Sequence, residues 1–213
     1  MQNRQNKILI TGGNGKLATE LKKHLKGDYL SRKEFDFTKP ITLKKKYSLI
    51  VHVGAYTNVK KAEFEDKKKC FMTNTYGTFN LMQHYRDTPF IFISTEFAQY
   101  PFAVYALTKK LGEEIVKTHP RHLIIRTLFK PNPFPFPRAY KDQYTQGDYV
   151  DVIAKLLAKR IKTWDKKTNG LEYLGTGRKT IFELAKRTRP DVKPNSIFNY
   201  MKESGLFIPK DYE

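Results

Sequence analysis

"ILITGGNGKLATEL", residues 8–21, is the stretch whose reading decides the fold. Ile8 to Thr11 make a strand-length apolar run that stops on Gly12-Gly13, and from Lys16 the residues Leu17, Leu21 and Leu25 recur at helical spacing. A buried strand that turns through glycines straight into a helix aims first-turn backbone amides at an anion, and the helix dipole favours negative charge there. The pattern Gly12-x-x-Gly15-x-x-Ala18 is the spacing of a dinucleotide pyrophosphate turn, with alanine still allowing close helix–strand packing. Gly12, Asn14, Gly15, Lys16 and Leu17 are therefore the candidate pyrophosphate contacts.

The same rhythm continues outward. Continuous apolar runs at 48–53 (SLIVHV), 90–93 (FIFI) and 122–125 (HLII) suit strands covered on both faces, as in a parallel sheet. Helix-like stretches at 59–69, 74–85 and Val104–Lys117 separate them, and the alternation predicts a doubly wound, Rossmann-like α/β sheet with right-handed crossovers. The segment 131–137 (PNPFPFP) fits neither a helix nor a central strand. It divides the chain into a dinucleotide-binding domain, 1–130, and a small C-terminal substrate cap, 131–213, interleaved with the core. Within the cap the sequence predicts a helix at 149–162, a strand near 171–174 and a helix near 181–187.

After the expected second strand the chain reads "YLSRKEFDF". An acidic residue there would bind the ribose hydroxyls of NAD; a hydroxyl and two cations at Ser31, Arg32 and Lys33 suit the 2′-phosphate of NADP instead. NADP(H) is thus expected in preference to NAD(H), with Asp36 and Phe37 flanking the adenine.

Composition bounds the rest. Forty basic residues against twenty-one acidic give a net charge of +19. No zinc-finger spacing, basic-zipper region or aromatic RNA-binding signature accompanies those charges, so a solvated lysine-rich surface is expected rather than nucleic-acid binding. A single cysteine, Cys70, excludes an internal disulfide and a cysteine-based zinc site, and no metal is expected. No run approaches a membrane span and the N-terminus has no apolar signal region, which reads as a cytoplasmic protein.

Five quoted pieces carry a family resemblance: ILITGGNGKLATEL, IVHVGAYTNVKKAE, NTYGTFNL, FISTEF and YALTKKLGEE, in that order over residues 7–130, with a weaker echo in PFPFPRAYKDQYTQGDYVDVIA. The chain resembles the extended short-chain dehydrogenase/reductases, most closely the dTDP-4-dehydrorhamnose reductase-like branch. The resemblance implies a catalytic Tyr105 that protonates a substrate carbonyl and a Lys109 that lowers the tyrosine's pKa and binds the nicotinamide ribose. It also implies Thr95, with Ser94 as the alternative, as the residue that holds the carbonyl. By the same resemblance Gly54, Ala55 and Tyr56 lie along the adenosine half of the cofactor. Asn74 supports the active-site end of its helix, and Glu96 keeps the type of an acidic residue at the substrate. Arg138 and Lys141 are candidate cations for a nucleotide-sugar pyrophosphate. Two departures stand out: only nine residues separate Thr95 from Tyr105, and the chain is short for an extended member. A reductase of a 4-keto-6-deoxy nucleotide sugar and a non-catalytic NADP-binding regulatory or assembly subunit are the two readings, with a homodimer or a partner enzyme completing the pocket in either.

Overall fold

The structure of the protein, a computed structural model, describes residues 7–208. Its core is a six-stranded parallel sheet built from the expected apolar runs: β1 (Ile8–Thr11), β2 (Asp28–Leu30), β3 (Leu49–His52), β4 (Phe90–Thr95), β5 (His122–Thr127) and, from beyond the proline-rich segment, Gly170–Tyr173. That last strand lies next to β5 and is numbered β10 below, after the short strands that precede it. The spatial order is β10-β5-β4-β3-β1-β2. From β1 the chain adds β2 on one side and then β3 on the other, so strand order reverses between β1 and β3, where a crevice opens outside the carboxyl ends of the strands.

Both faces are covered, which is why the strands carry continuous apolar runs rather than alternation. On one face α1 (Lys16–Leu21) lies beside the late helix Val150–Thr163; together they bury Leu17, Leu21, Ile153, Leu157 and Ile161 against Ile10, Val51 and Ile91. The opposite face takes α4 (Gly77–His84) and α5 (Val104–Lys117), with α2 (Val59–Phe64) and α3 (Lys67–Phe71) packed onto α5. Short strand pairs make the remainder: β6 (Phe129–Lys130) with β9 (Asp148–Tyr149), β7 (Arg138–Tyr140) with β12 (Lys193–Asn195), and β8 (Tyr144–Thr145) with β11 (Lys179–Thr180). The helix Val150–Thr163 is α6; α7 (Ile181–Lys186) and α8 (Ile197–Ser204) complete the chain.

Residues past 130 divide between two bodies. Helix α6 and strand β10 belong to the sandwich itself, whereas Phe134, Ala139, Tyr149, Ile181 and Leu184 form a separate apolar cluster. Two expected helices differ in detail. The stretch 59–69 breaks at Asp66, whose N–H closes on Lys61 O while its carboxylate accepts from the Tyr56 hydroxyl at 2.7 Å, so α3 starts afresh. The stretch 74–85 opens with a π turn, Met72–Tyr76, before α4. Such turns insert one extra residue per turn and are frequent at functional sites. Helix α1 ends at Leu21, with turn bonds carrying the chain on to Leu25.

Candidate active site

The glycine turn stands at the carboxyl end of β1. Gly12 has φ +69°, and a Cβ on it would lie 2.6 Å from Gly54 Cα. Gly13 is equally tight against the carbonyl of Tyr29, at 2.7 Å. Internal packing thus explains both. Gly15 is different: its φ of −72° suits any residue, and an added Cβ would meet only Gly12 O at 3.1 Å. Gly15 begins α1 with no side-chain cap, which leaves the first-turn N–H groups open beside an exposed Asn14 and Lys16. A cradle that a side chain would fill, lined by uncapped amides, fits a dinucleotide pyrophosphate. The Leu17 side chain points into the core, so only its backbone faces the cradle.

Beneath the crevice runs a buried polar chain. Gly54 N–H donates to Thr11 Oγ1 (3.0 Å), which contacts His52 Nδ1 (2.7 Å); His52 Nε2 contacts Thr78 Oγ1 (3.1 Å), which donates to Asn74 O (2.7 Å). Because the Thr78 proton goes to Asn74 O, the direction of the chain is fixed: Nε2–H donates to Thr78 and Nδ1 accepts from Thr11. Burial holds His52 well below its usual pKa, in keeping with a neutral ring. Asn74, inside the π turn, then grips Tyr56 twice. Its Oδ1 accepts from Tyr56 N (2.7 Å) and its Nδ2 donates to Tyr56 O (3.0 Å) and to Thr108 Oγ1 on α5 (3.0 Å). One amide thereby ties the Gly54–Tyr56 turn to the helix that carries Tyr105.

At the β2 end the expected ribose contacts are partly turned inward. Ser31 is buried, and its hydroxyl and N–H both donate to Glu34, at 2.6 and 2.8 Å. Glu34 therefore satisfies the group expected to bind a 2′-phosphate. Asp36 accepts from the Thr38 N–H and hydroxyl and lies 3.5 Å from exposed Arg32. The Phe37 ring does not flank an open site: it is wedged against Gly54 and Gly77 and meets His52 edge-on at 4.8 Å, a core contact made possible by the two missing side chains. Arg32 and Lys33 are exposed on the rim of a groove of ≈ 690 Å3 that also takes in Lys39 and Lys44.

The structure brings Thr95, Tyr105 and Lys109 together at the carboxyl end of β4. Thr95 closes the strand, its Oγ1 accepting from Phe97 N at 3.3 Å, and its hydroxyl is close enough to the Tyr105 phenol on α5 to pull that phenol's pKa down. Lys109, one turn along the same face, is buried; its Nζ donates to Ile93 O at 2.7 Å and lies 3.9 Å above the Phe92 ring. The lowering of the phenol by Lys109 expected from the sequence is not what the structure has. Burial pushes Tyr105 up to about 12, with the Thr95 bond pulling the other way, and burial draws Lys109 down to about 7 against the opposing field of Glu113. Desolvation makes the Lys109 ammonium readier to give up its proton, which weakens the charge it can set against the phenol.

This has a measurable consequence for stability. An unfolded lysine binds its proton up to about pH 10, whereas folded Lys109 releases it near about 7. Between those values the unfolded chain holds more protons, so stability rises with pH through that window and is lost as pH falls through 7. Lys109→Met should remove this rise, a difference on the order of 4 kcal/mol across the window in thermal melts from pH 6 to 10. Parallel curves for the two proteins would show that Lys109 keeps its proton.

Ser94, the alternative carbonyl ligand, is directed elsewhere. It donates to Glu113 Oε1 at 2.6 Å, and Glu113 in turn takes a two-pronged bond from Arg126, Nε and Nη2 each at 2.8 Å. Arg126 also bonds Gln99 and Tyr173. Neither Glu113 nor Arg126 was singled out in the sequence, although Glu113 falls one turn after Lys109 within YALTKKLGEE. Glu96 likewise faces inward: it accepts from Thr145 Oγ1 (2.6 Å), Gln146 N (3.0 Å) and Gly147 N, clamping the β8–β9 turn, and its burial raises its pKa. Arg138 and Lys141 are exposed on β7 and just past its end. A cation that sequence reasoning missed lies closer. Lys130 on β6 is half-buried, its ammonium makes no hydrogen bond among the described residues, and its burial is opposed by the field of Glu96, next to Thr95.

Among solved structures, a dTDP-4-dehydrorhamnose reductase from Bacillus anthracis in complex with NADP superposes with a TM-score of 0.77 at 20% identity, covering 100% of this chain and 96% of that chain. A hypothetical dTDP-4-dehydrorhamnose reductase from Sulfolobus tokodaii gives 0.73 at 22% identity, over 89% of this chain and 84% of that one. An ADP-L-glycero-D-manno-heptose-6-epimerase from Helicobacter pylori gives 0.68 at 16%, over 92% and 87%. A search of curated protein sequences finds no match. Residues 6–130, a stretch that takes in β1 to β6, match the family described as the RmlD substrate binding domain. With more than half of its length matched, the chain belongs to that family, the dTDP-4-dehydrorhamnose reductase-related branch of the short-chain dehydrogenase/reductases.

Proposed function

We propose that the protein is an NADP(H)-dependent reductase of a keto group on a nucleotide sugar, of the 4-keto-6-deoxy class. The observation that carries this reading is the Thr95–Tyr105 hydroxyl pair beside buried Lys109 at the carboxyl edge of the sheet. When bound, the nicotinamide supplies the hydride. The Thr95 hydroxyl orients the substrate carbonyl, and Tyr105, which keeps its proton throughout the physiological range, donates it from Oη to the carbonyl oxygen. Lys109 supplies an ammonium one turn below, and ribose hydroxyls that accept from it would favour its charged form and so ease proton release from Tyr105. Gly12, Asn14, Gly15, Lys16 and the Leu17 backbone would hold the pyrophosphate, and Arg32 and Lys33 the 2′-phosphate. Lys130 is the cation best placed for an anionic group of the sugar nucleotide.

A specific observation favours the alternative, a non-catalytic NADP-binding regulatory or assembly subunit: Ser94 and Glu96, both expected at the substrate, serve internal bonds. Calorimetric titration with NADPH, NADH and 4-keto nucleotide sugars separates the readings. We expect NADPH to bind more tightly than NADH at fixed salt, and Arg32→Ala to weaken NADPH by ~10-fold or more with little change for NADH, because an arginine–phosphate contact is charge-assisted and often two-pronged. Equal affinities for the two dinucleotides would refute the cofactor choice. Tight NADPH binding without any sugar binding would favour the regulatory subunit.

A further inference from the structure

Glu63 closes the motif IVHVGAYTNVKKAE and takes no part in the glycine cradle or the hydroxyl pair. It stands one residue before the end of α2, whose own first turn is closed by Asn58 Oδ1 accepting from Lys61 N at 3.0 Å. The nearby Glu65 and Asp66 face Lys61 and Lys69 at 3.6 and 3.9 Å, whereas Glu63 makes no ion pair among the described residues. Its Oε2 instead accepts from the backbone N–H of Val104 at 2.8 Å, across 41 residues of sequence.

Val104 is the first residue of α5, and Tyr105 is the second. The first N–H groups of a helix have no partner within it, and a side-chain oxygen on the preceding residue commonly takes one of them. Here the preceding residue is Ala103, which has no oxygen to offer, and the first turn of α5 carries no acidic residue of its own. Glu63 caps the helix from outside, and its negative charge suits the positive end of the helix dipole. The chain leading into α5 is held separately. Gln99 Oε1 accepts from Tyr173 Oη at 2.5 Å and from Arg126, and Ala103 is buried with Ile197, Leu206 and Ile208. Those contacts hold the loop, whereas the Glu63 bond holds the N–H at which the turn carrying the phenol begins.

We propose that Glu63 is a positioning residue for Tyr105, keeping the phenol where a substrate carbonyl can take its proton; this rests on the reading of Tyr105 as the proton donor. A first turn without its cap frays, and Tyr105 lies in that turn. Lys109, a turn further on, is anchored by its own bond to Ile93 O, so cofactor binding is spared.

The test removes the bond from each side. Glu63→Ala deletes the acceptor. Val104→Pro deletes the donor at the helix position that suits proline best, and Ala103 is already extended, at φ −144° and ψ 163°, as a residue before proline should be. Each variant should lower turnover of the 4-keto sugar by ~10-fold or more, the scale of a reacting group displaced by about 1 Å. NADPH affinity should stay within about 2-fold of wild type. The double variant should lose no more than either single one, because both remove the same bond. Glu63→Gln, whose amide oxygen accepts that bond, should keep most of the activity, and Glu65→Ala, on the residue just past α2, should keep all of it. Additive losses, an equal loss in Glu63→Gln, or full turnover in Glu63→Ala would each overturn the proposal. NMR spectra of the full chain with isotope-labelled tyrosine supply a readout that needs no turnover. The Tyr105 ring signals, assigned by their absence in Tyr105→Phe, should shift in Glu63→Ala and return in Glu63→Gln. A wild-type protein that reduces no sugar would end the reductase reading and leave this spectral comparison standing. Unmoved Tyr105 signals would overturn the positioning role itself.

Discussion

Tyr105→Phe should lower turnover by ~10²–10⁴, the usual contribution of a positioned general acid, while leaving NADPH affinity within about 2-fold of wild type. The ring and its edge-on contact with Phe97 at 6.5 Å survive the change; only the hydroxyl and its transferable proton are lost. The raised pKa of the half-buried phenol sharpens the expectation, because a group ionising at about 12 is protonated at neutral pH, and the variant removes that proton. Stopped-flow turnover under saturating cofactor, with affinity measured separately, checks both halves. Unchanged turnover in the variant would sink Tyr105 as the acid while leaving the fold intact.

The second large effect concerns stability. Arg126→Leu should destabilise the protein by ~3–5 kcal/mol, because Glu113, fully buried, would keep its charge demand with only Ser94 as a donor and the partly buried Lys110 ammonium 3.8 Å away. For a chain of this size that is a fall of roughly 6–20 °C in the melting midpoint. Replacing both partners, Glu113→Gln with Arg126→Leu, should recover most of the loss, since the expense lies in the orphaned charge more than in the missing pair. The pair spans α5 and β5 and holds Ser94 on β4, so it also fixes the helix of Tyr105 against the strand of Thr95. A single variant melting within about 1 °C of wild type would show that the pair is not structural.

The fold was legible because its signals are local. A strand, a glycine turn and a helix lie within fourteen residues at 8–21, and the buried strands β3, β4 and β5 read as unbroken apolar runs. The short strands β7 and β12 were not legible: three residues each, with a proline at Pro194 in the second, carry no periodicity. Neither was the return of β10 to the sheet edge, which depends on α6 finding α1 some 130 residues earlier in the chain. At the candidate site, the juxtaposition of Thr95, Tyr105 and Lys109 was readable from the motifs that carry the family resemblance. The engagement of Ser31 by Glu34, Ser94 by Glu113 and Glu96 by the 145–147 turn was not. A residue type announces what bonds it can make, and only the folded chain decides which partner takes them.

The central claim is that hydride passes to a sugar carbonyl which Tyr105 protonates. The most direct measurement is incubation of the protein with NADPH deuterated at the transferable position and a 4-keto-6-deoxy nucleotide sugar, followed by mass spectrometry of the sugar. The expected result is one deuterium on the reduced carbon with wild-type protein and a yield lower by ~10²–10⁴ with Tyr105→Phe. Bound cofactor with no deuterium in any sugar, under conditions that saturate NADPH, would contradict the claim and leave the protein a binder of dinucleotide.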